Sequence, residues 1–316
     1  MIFDEEFLKS LGIVDWGYTE ESEAKSFDRF SSWVNQGQAG PLHYLTDHRK
    51  SLREDLHKVY PAFQSALVFL FSYRPTKKWM LENDNHRIAS YALGFEGADY
   101  HHVLKEKLNL LFKKLQEVHP GLESFQSLDA QPILERDLAY RAGLGWFGKN
   151  SMLISRKEGS YFIIGSLLLN QKLSLKEKVA DVDHCGTCTA CADACPTDAI
   201  DLESRTLTAS QCISTFTIEI MKEADPPKGF EKSRGEIFGC DICQDVCPWN
   251  SKPLAKETAN LNLPQGSVGI KILTAPLAEL RQMFEESTGR GIQRLLAGTA
   301  LARPGKKGWK KNLPKI

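Results

Sequence analysis

The sequence predicts an α+β protein: an α/β-layered N-terminal domain followed by a ferredoxin-like module. Short apolar runs of strand character mix with an amphipathic helical stretch in the first half of the chain. All eight cysteines lie between Cys185 and Cys247, so everything before Cys185 is cysteine-free. Two parts with such different composition read as two domains, and a chain of 316 residues has room for both.

The elements follow in order. Ser65 to Tyr73 is a short apolar run that fits a buried strand, and Tyr161 to Leu169 is a second. Leu104, Leu108, Leu111, Leu115 and Val118 recur at helical spacing within a charged background, which predicts an amphipathic helix from about Tyr100 to Val118. Between the two strand candidates lies Leu128-Asp129-Ala130-Gln131-Pro132-Ile133-Leu134-Glu135-Arg136, which leads into Arg141-Ala142-Gly143-Leu144-Gly145-Trp146-Phe147-Gly148-Lys149-Asn150. The three glycines of that segment suggest a backbone that approaches something closely. Their spacing fits neither a dinucleotide fingerprint nor a phosphate loop, and on spacing alone a tight turn accounts for them. After Cys247 the prolines 248, 253 and 264 suggest irregular chain, with one more helix at Leu277–Phe284. The expected boundaries are 1–175, 176–255 and a basic segment over 256–316.

Formal net charge is zero, so no global field draws the protein to nucleic acid. The distribution is uneven. From Gly289 onward there is no Asp or Glu, but there are Arg290, Arg294, Arg303, Lys306, Lys307, Lys310, Lys311 and Lys315. A solvated tail explains this as well as a binding surface does. The acidic N-terminus does not read as a signal peptide, and no apolar run approaches the ~18 residues of a spanning helix. The expectation is a cytoplasmic protein without membrane contact, whose clustered cysteines are metal ligands rather than disulfides.

The cysteines carry the strongest signal. Cys185, Cys188, Cys191 and Cys195 before Pro196 form the C-x2-C-x2-C-x3-C-P run of bacterial ferredoxins, whose fourth thiolate serves the other cluster. Cys240, Cys243 and Cys247 before Pro248 are one short of a second run, and Cys212 is the remaining cysteine. The count closes with Cys185, Cys188, Cys191 and Cys247 on one 4Fe–4S cluster and Cys195, Cys212, Cys240 and Cys243 on the other. Two four-cysteine zinc sites have the same count, but zinc ribbons use separated C-x2-C pairs. A ferredoxin alone needs only this module, so the long front domain is expected to receive its electrons.

The two motifs around Asp129 and Gly143–Asn150, together with Gly97-Ala98-Asp99-Tyr100-His101 and the cysteine layout with its detached Cys212, resemble the epoxyqueuosine reductase family. The resemblance runs from about Gly40 to Asn250. It implies an oxidoreductase with cobalamin and two 4Fe–4S clusters, similar in fold to corrinoid reductive dehalogenases. The implied reaction reduces the epoxide on the cyclopentane ring of epoxyqueuosine, at the wobble position of tRNAs with GUN anticodons, to the alkene of queuosine. The nearest approach to the D-x-H-x-x-G motif of histidine-ligated corrinoids, Asp99-Tyr100-His101-His102-Val103-Leu104, lacks the glycine, which favours a corrin without a histidine ligand.

The resemblance also assigns residues. Asp129 is the implied proton donor, and as an acid working near neutral pH it needs burial to raise its pKa. Arg53, Leu153, Ile164 and Ser214 are implied at the cobalamin, Tyr100 and His101 near the substrate, and Arg136 toward tRNA. Trp309, among the C-terminal lysines, could stack on a base. Longer family members carry a helical-repeat extension after the ferredoxin module. The implied partners are the tRNA and a low-potential electron donor, with the chain as a monomer. The competing readings are a reductive dehalogenase acting on a small halogenated substrate and a non-catalytic iron–sulfur electron carrier.

Overall fold

The structure is a computed structural model that describes residues 2–313. Its centre is a four-stranded antiparallel sheet made by β1 (Ile13–Thr19), β2 (Ser65–Ser72), β3 (Ser124–Ser127) and, after the short strands β4 (Trp146–Phe147) and β5 (Leu153–Ile154), β6 (Phe162–Leu169), in the order β1-β2-β6-β3. The two apolar runs of the sequence are the central strands, and they pair along their full length from Ser65 opposite Leu169 to Ser72 opposite Phe162. Both faces of β2 are covered, which is why its sequence lacks polar alternation.

Leu67, Phe69 and Phe71 point to one face, and Ala66, Val68 and Leu70 to the other. The first face receives the helix Tyr100–Gln116 through Leu104, Leu108, Leu111 and Leu115, each with no exposed surface. Burying four leucines stabilises the pair by about 1.5–3 kcal/mol each before entropy is counted. Val118 falls beyond this helix and is exposed. The second face receives the short helix Glu135–Arg141 through Leu138 and Ala139. Here Arg141 and Asp137 form a fully buried ion pair at 2.6 Å. Asp137 also accepts from the Ser26 amide, so this pair pins the chain before the helix Phe27–Asn35 to the sheet layer.

The ferredoxin-like module is mostly irregular, with single-turn helices at Ala190–Asp193 and Ile242–Asp245. Its join to the front domain is buried and polar. Lys77, 3 % exposed in its side chain, contacts Asp241 at 3.1 Å and Asp245 at 2.6 Å. Ser90 donates to Asp241 through its amide and its hydroxyl, and Tyr161 donates to Asp245 at 2.5 Å. Buried charges at such a join cost several kcal/mol each unless fully partnered. A fully partnered set fixes one relative placement of the two parts.

Two expectations for the end of the chain are corrected. Pro248 does not break the chain but opens the helix Pro248–Ala255, where a missing N–H costs nothing. Residues 256–316 are not a plain basic tail. The described part folds into the helices Val268–Thr274, Leu277–Glu286, Gly289–Leu296 and Gly305–Asn312. Ser267 and Thr288 cap two of them by accepting from Ile270 and Gly291 amides. They enclose a core with Met80, Ile88 and Leu93 of the front domain and Ile237 and Phe238 of the module.

Trp309 is central to that core. It has no exposed surface, stacks on Phe284 at 5.1 Å and Phe238 at 5.7 Å, and donates from Nε1 to the Leu301 carbonyl at 2.8 Å. It therefore offers no ring to a base. Lys306 donates to the carbonyls of Glu285 and Ser287, and Lys311 to that of Phe216, so both serve the fold. Arg290, Arg294, Arg303 and Lys307 are exposed, and Lys315 lies outside the described residues. Among the described residues, no helix is long and apolar enough to cross a membrane.

Candidate active site

One of the two cysteine sets of the count lines a single cavity. Cys185, Cys188, Cys191 and Cys247 line one cavity of about 230 Å³, closed on its other sides by Ile154, Pro248, Trp249 and the Lys149–Asn150 backbone region. Cys243 lies within electrostatic reach of Cys240, Cys212 and Cys195, and also of Cys191 from the first run, and Cys212 lies within reach of Cys195. Burial pushes both Cys240 and Cys243 upward, followed at Cys240 by the charge of Glu236 and then Cys212, and at Cys243 by the neighbouring cysteines. Four thiols around a cavity too large for one ion fit an inorganic cluster that neutralises them as thiolates. Within the first set Cys188 is exposed and Cys247 buried, so that set reaches from the surface inward.

The glycine-rich segment is more than a turn. β4 and β5 form a small hairpin within it, and a Cβ at Gly145 would collide with the Ile154 carbonyl across that hairpin. The hairpin presents Lys149, whose Nζ donates to the carbonyls of Gly186 at 2.7 Å and Cys188 at 2.9 Å. Asn150 donates to the Cys243 carbonyl at 3.2 Å. One short segment of the front domain thus holds both cysteine runs.

Asp129 follows β3 in a left-handed backbone conformation, φ 58°. Its carboxylate accepts from the Tyr100 hydroxyl at 2.5 Å and lies 3.7 Å from Nε2 of His101. The helix that begins at Tyr100 supplies both partners from its first turn. Asp99 caps that helix through the His101 amide and holds His101 Nδ1 at 2.8 Å. The Asp129 carboxylate, together with Asp99, raises the His101 pKa against the opposing effect of burial. Burial and then Asp129 raise that of Tyr100. The expected upward shift of Asp129 is corrected. Enclosure raises it, but the donors His101 and Tyr100 and the charges of His101 and Arg303 outweigh that and hold the carboxyl below its ordinary range.

Other groups join this cluster. Tyr44 is pushed up to about 12 by burial and then by Glu219 and Asp129, with Arg303 and Arg53 opposing. Arg53 is buried and donates to the Arg49 carbonyl at 2.7 Å. Arg303, from the C-terminal helical part, pairs with Glu219 at 2.8 Å. Ser214 lies just before the helical turn Thr215–Glu219 that carries Glu219. Leu153 and Ile164 belong to the apolar layer behind the sheet, and Leu153 is 1 % exposed, so its side chain is spent on the core. Arg136 is exposed and donates to the Ser151 carbonyl, whereas its neighbour Asp137 pairs with Arg141.

Glu135, Tyr44 and Glu219 were not singled out by the sequence, although Glu135 stands in the same motif as Asp129, and Arg303 was read only as one of the C-terminal cations. Glu135 accepts from the Asp129 amide at 2.6 Å and from the Ser127 hydroxyl at 2.9 Å. Burial, with the Asp129 charge beside it, pushes its carboxyl up to about 8.

Residues 53–128 match the family described as epoxyqueuosine reductase QueG, and residues 184–250 match the 4Fe-4S double cluster binding domain. The epoxyqueuosine reductase of Cyclobacterium marinum is 37% identical over 96% of this chain and 90% of its own length. The structure of epoxyqueuosine reductase from Streptococcus thermophilus superposes with a TM-score of 0.76 and 25% identity, covering 98% of this chain and 78% of that one. A crystal structure of epoxyqueuosine reductase with a tRNA-TYR epoxyqueuosine-modified tRNA stem loop gives a TM-score of 0.73 and 26% identity, covering 97% of this chain and 78% of that one.

Proposed function

Because the chain belongs to the epoxyqueuosine reductase family, it is an oxidoreductase that reduces epoxyqueuosine to queuosine on tRNA, and we propose that Asp129 protonates the epoxide oxygen while the two cysteine sets pass electrons inward. The reaction consumes two electrons and two protons per epoxide and yields an alkene and water. One C–O bond opens toward the electrons and the other is lost with the oxygen as water, so a proton source beside that oxygen is required.

The observation that carries the assignment is the Tyr100–Asp129–His101 cluster. It places a carboxyl with a 61% exposed side chain beside a second proton carrier, His101, and against the buried Tyr100. Cys185, Cys188, Cys191 and Cys247 hold one 4Fe–4S cluster, and Cys195, Cys212, Cys240 and Cys243 the other. Electrons enter at the first set, whose Cys188 reaches the surface, and come from a low-potential donor.

Cobalamin is the further cofactor in this reading, and the residues fit it. Asp129 is open outward, and Asp129, Arg303 and Arg53 all lie within electrostatic reach of Tyr44 from separate segments. Arg53 and Ser214 would hold it, with Leu153 and Ile164 contributing through their backbone. When bound, it supplies a low-potential metal centre able to deliver electrons to carbon. The chain's own residues orient the substrate and manage its protons: Tyr100 and His101 hold the Asp129 carboxylate, and Arg136 lies toward the tRNA.

The test is direct. Protein reconstituted with iron, sulfide and cobalamin is incubated with reduced viologen and a stem loop bearing epoxyqueuosine. Nucleoside analysis should show queuosine. No conversion by protein with a full complement of cofactors would remove this assignment.

A further inference from the structure

The low position of Asp129 leaves a difficulty. A carboxyl held below its ordinary range carries no proton at neutral pH, yet the reading above gives it a proton to deliver. The neighbouring groups contain an answer. Glu135 opens the helix that follows the Asp129 loop, and one of its oxygens accepts from both the Asp129 amide and the Ser127 hydroxyl. The loop between them is short and closed by the Leu128 amide donating to the Gln131 side chain at 2.9 Å. Two carboxyls so placed repel when both are ionised, and such a pair keeps one proton to higher pH than either group alone.

We propose that Glu135 and Asp129 work as one acid: Glu135 stores the proton that Asp129 delivers, and the same carboxyl clamps the left-handed Asp129 backbone in place. This rests on the reading of Asp129 as the group that protonates the epoxide oxygen. As the C–O bond opens under the incoming electrons, the one proton of the pair passes from Glu135 to the Asp129 carboxylate and from there to that oxygen, leaving both carboxyls ionised. The ionised pair is then reloaded from solvent through the His101 imidazolium, 3.7 Å from Asp129. The pKa direction agrees, since Glu135 is pushed up to about 8 and so is protonated under neutral conditions.

Other charged groups face the pair. Tyr100, His101 and Asp99 come from the helix beginning at Tyr100, and Arg303 from the C-terminal part. Tyr44 and Tyr91 lie within reach of Asp129, and Arg136 adjoins Glu135 with Arg29 behind it. Of these, His101 has the ordinary pKa nearest neutrality, and the Asp129 and Asp99 carboxylates move it upward.

Glu135→Gln tests the proposal, because its amide oxygen still accepts from Asp129 and Ser127 but carries no exchangeable proton. Two measurements on the fully loaded enzyme are needed. The first follows the carboxylic-acid C=O stretch by infrared spectroscopy from about pH 6 to about pH 9. The wild type should show a protonated carboxyl lost near pH 8, absent from Glu135→Gln. The second is the single-turnover rate of queuosine formation against pH. Its alkaline limb should move down by at least about one unit, about a tenfold loss on that limb. Glu135→Asp, which keeps an ionisable group, should keep the limb near the wild-type position despite a slower rate.

A protonated-carboxyl band that survives in Glu135→Gln, or an alkaline limb that coincides with the wild type, overturns the proton store. A uniform loss at every pH with an unmoved limb also overturns it and leaves Glu135 as a clamp alone. If the wild type converts no epoxyqueuosine, the assignment of function fails, but the infrared titration still decides whether Glu135 holds a proton.

Discussion

At Asp129 the backbone and the side chain are held by different partners. Glu135 accepts from its amide, and Tyr100 donates to its carboxylate. Asp129→Asn preserves the shape but removes the exchangeable proton. Single-turnover queuosine formation should fall by about 10²–10⁴-fold, with tRNA affinity unchanged. Full turnover would move the proton source elsewhere. The same substitution should be visible at His101. Its folded pKa lies above the ordinary ~6.5 because of the Asp129 and Asp99 carboxylates. The stabilisation from those contacts is therefore complete below about pH 6.5 and is lost as pH rises through the folded value. In Asp129→Asn the His101 titration, followed by NMR of the imidazole ring protons, should shift downward. An unmoved midpoint would mean that Asp99 alone sets it. The motif around Asp129 made this residue visible in the sequence. Glu135 was hidden because its role comes from the tight loop that folds it back onto the Asp129 amide, and no spacing rule announces that closure.

At the scale of elements, the β4–β5 hairpin has the least obvious role. Its glycines read as a turn because close backbone approach was visible but its object was not. In the fold the object is Ile154 of the partner strand for Gly145 and Gly148, and Lys178 for Gly143, and the hairpin aims Lys149 at the carbonyls of Gly186 and Cys188. Lys149→Met keeps the apolar stem and deletes both bonds, which are solvent-exposed and so contribute little to global stability. The loop carrying three of the cavity's four cysteines then loses its tie to the front domain. Protein reconstituted to full iron content should lose its cluster absorbance faster in air than the wild type, while its melting temperature changes little. Equal bleaching rates would assign Lys149 to the surface. The central strands and the amphipathic helix were legible because their periodicities are strong. The hairpin, two residues per strand, is too short for any periodicity to appear.

The whole molecule closes around a C-terminal part that composition disguised. Five lysines, five glycines and three arginines stand among the last 28 residues, and beyond the Ile292–Leu296 pair the apolar positions Leu301 and Trp309 are too widely spaced to show a regular pattern. Their partners lie in the front domain and the module, so the core exists only after the three segments have met. Cutting at residue 303 would therefore remove Trp309 and Leu313 from a shared core rather than trim a tail. Trp309→Ala should cost about 3–5 kcal/mol in chemical denaturation, with loss of tRNA binding only as far as folding is lost. The exposed cations are the separable part. Replacing Arg290, Arg294 and Lys307 together by Gln should leave stability within about 0.5 kcal/mol. If these side chains neutralise phosphates, the slope of log affinity against log salt should become shallower by about 0.7–0.9 for each contact removed. A weaker affinity at an unchanged slope would place their effect in shape rather than in charge. Unchanged affinity and slope would leave Arg303, the one exposed cation of this part that also acts on Asp129, as its contribution to the site.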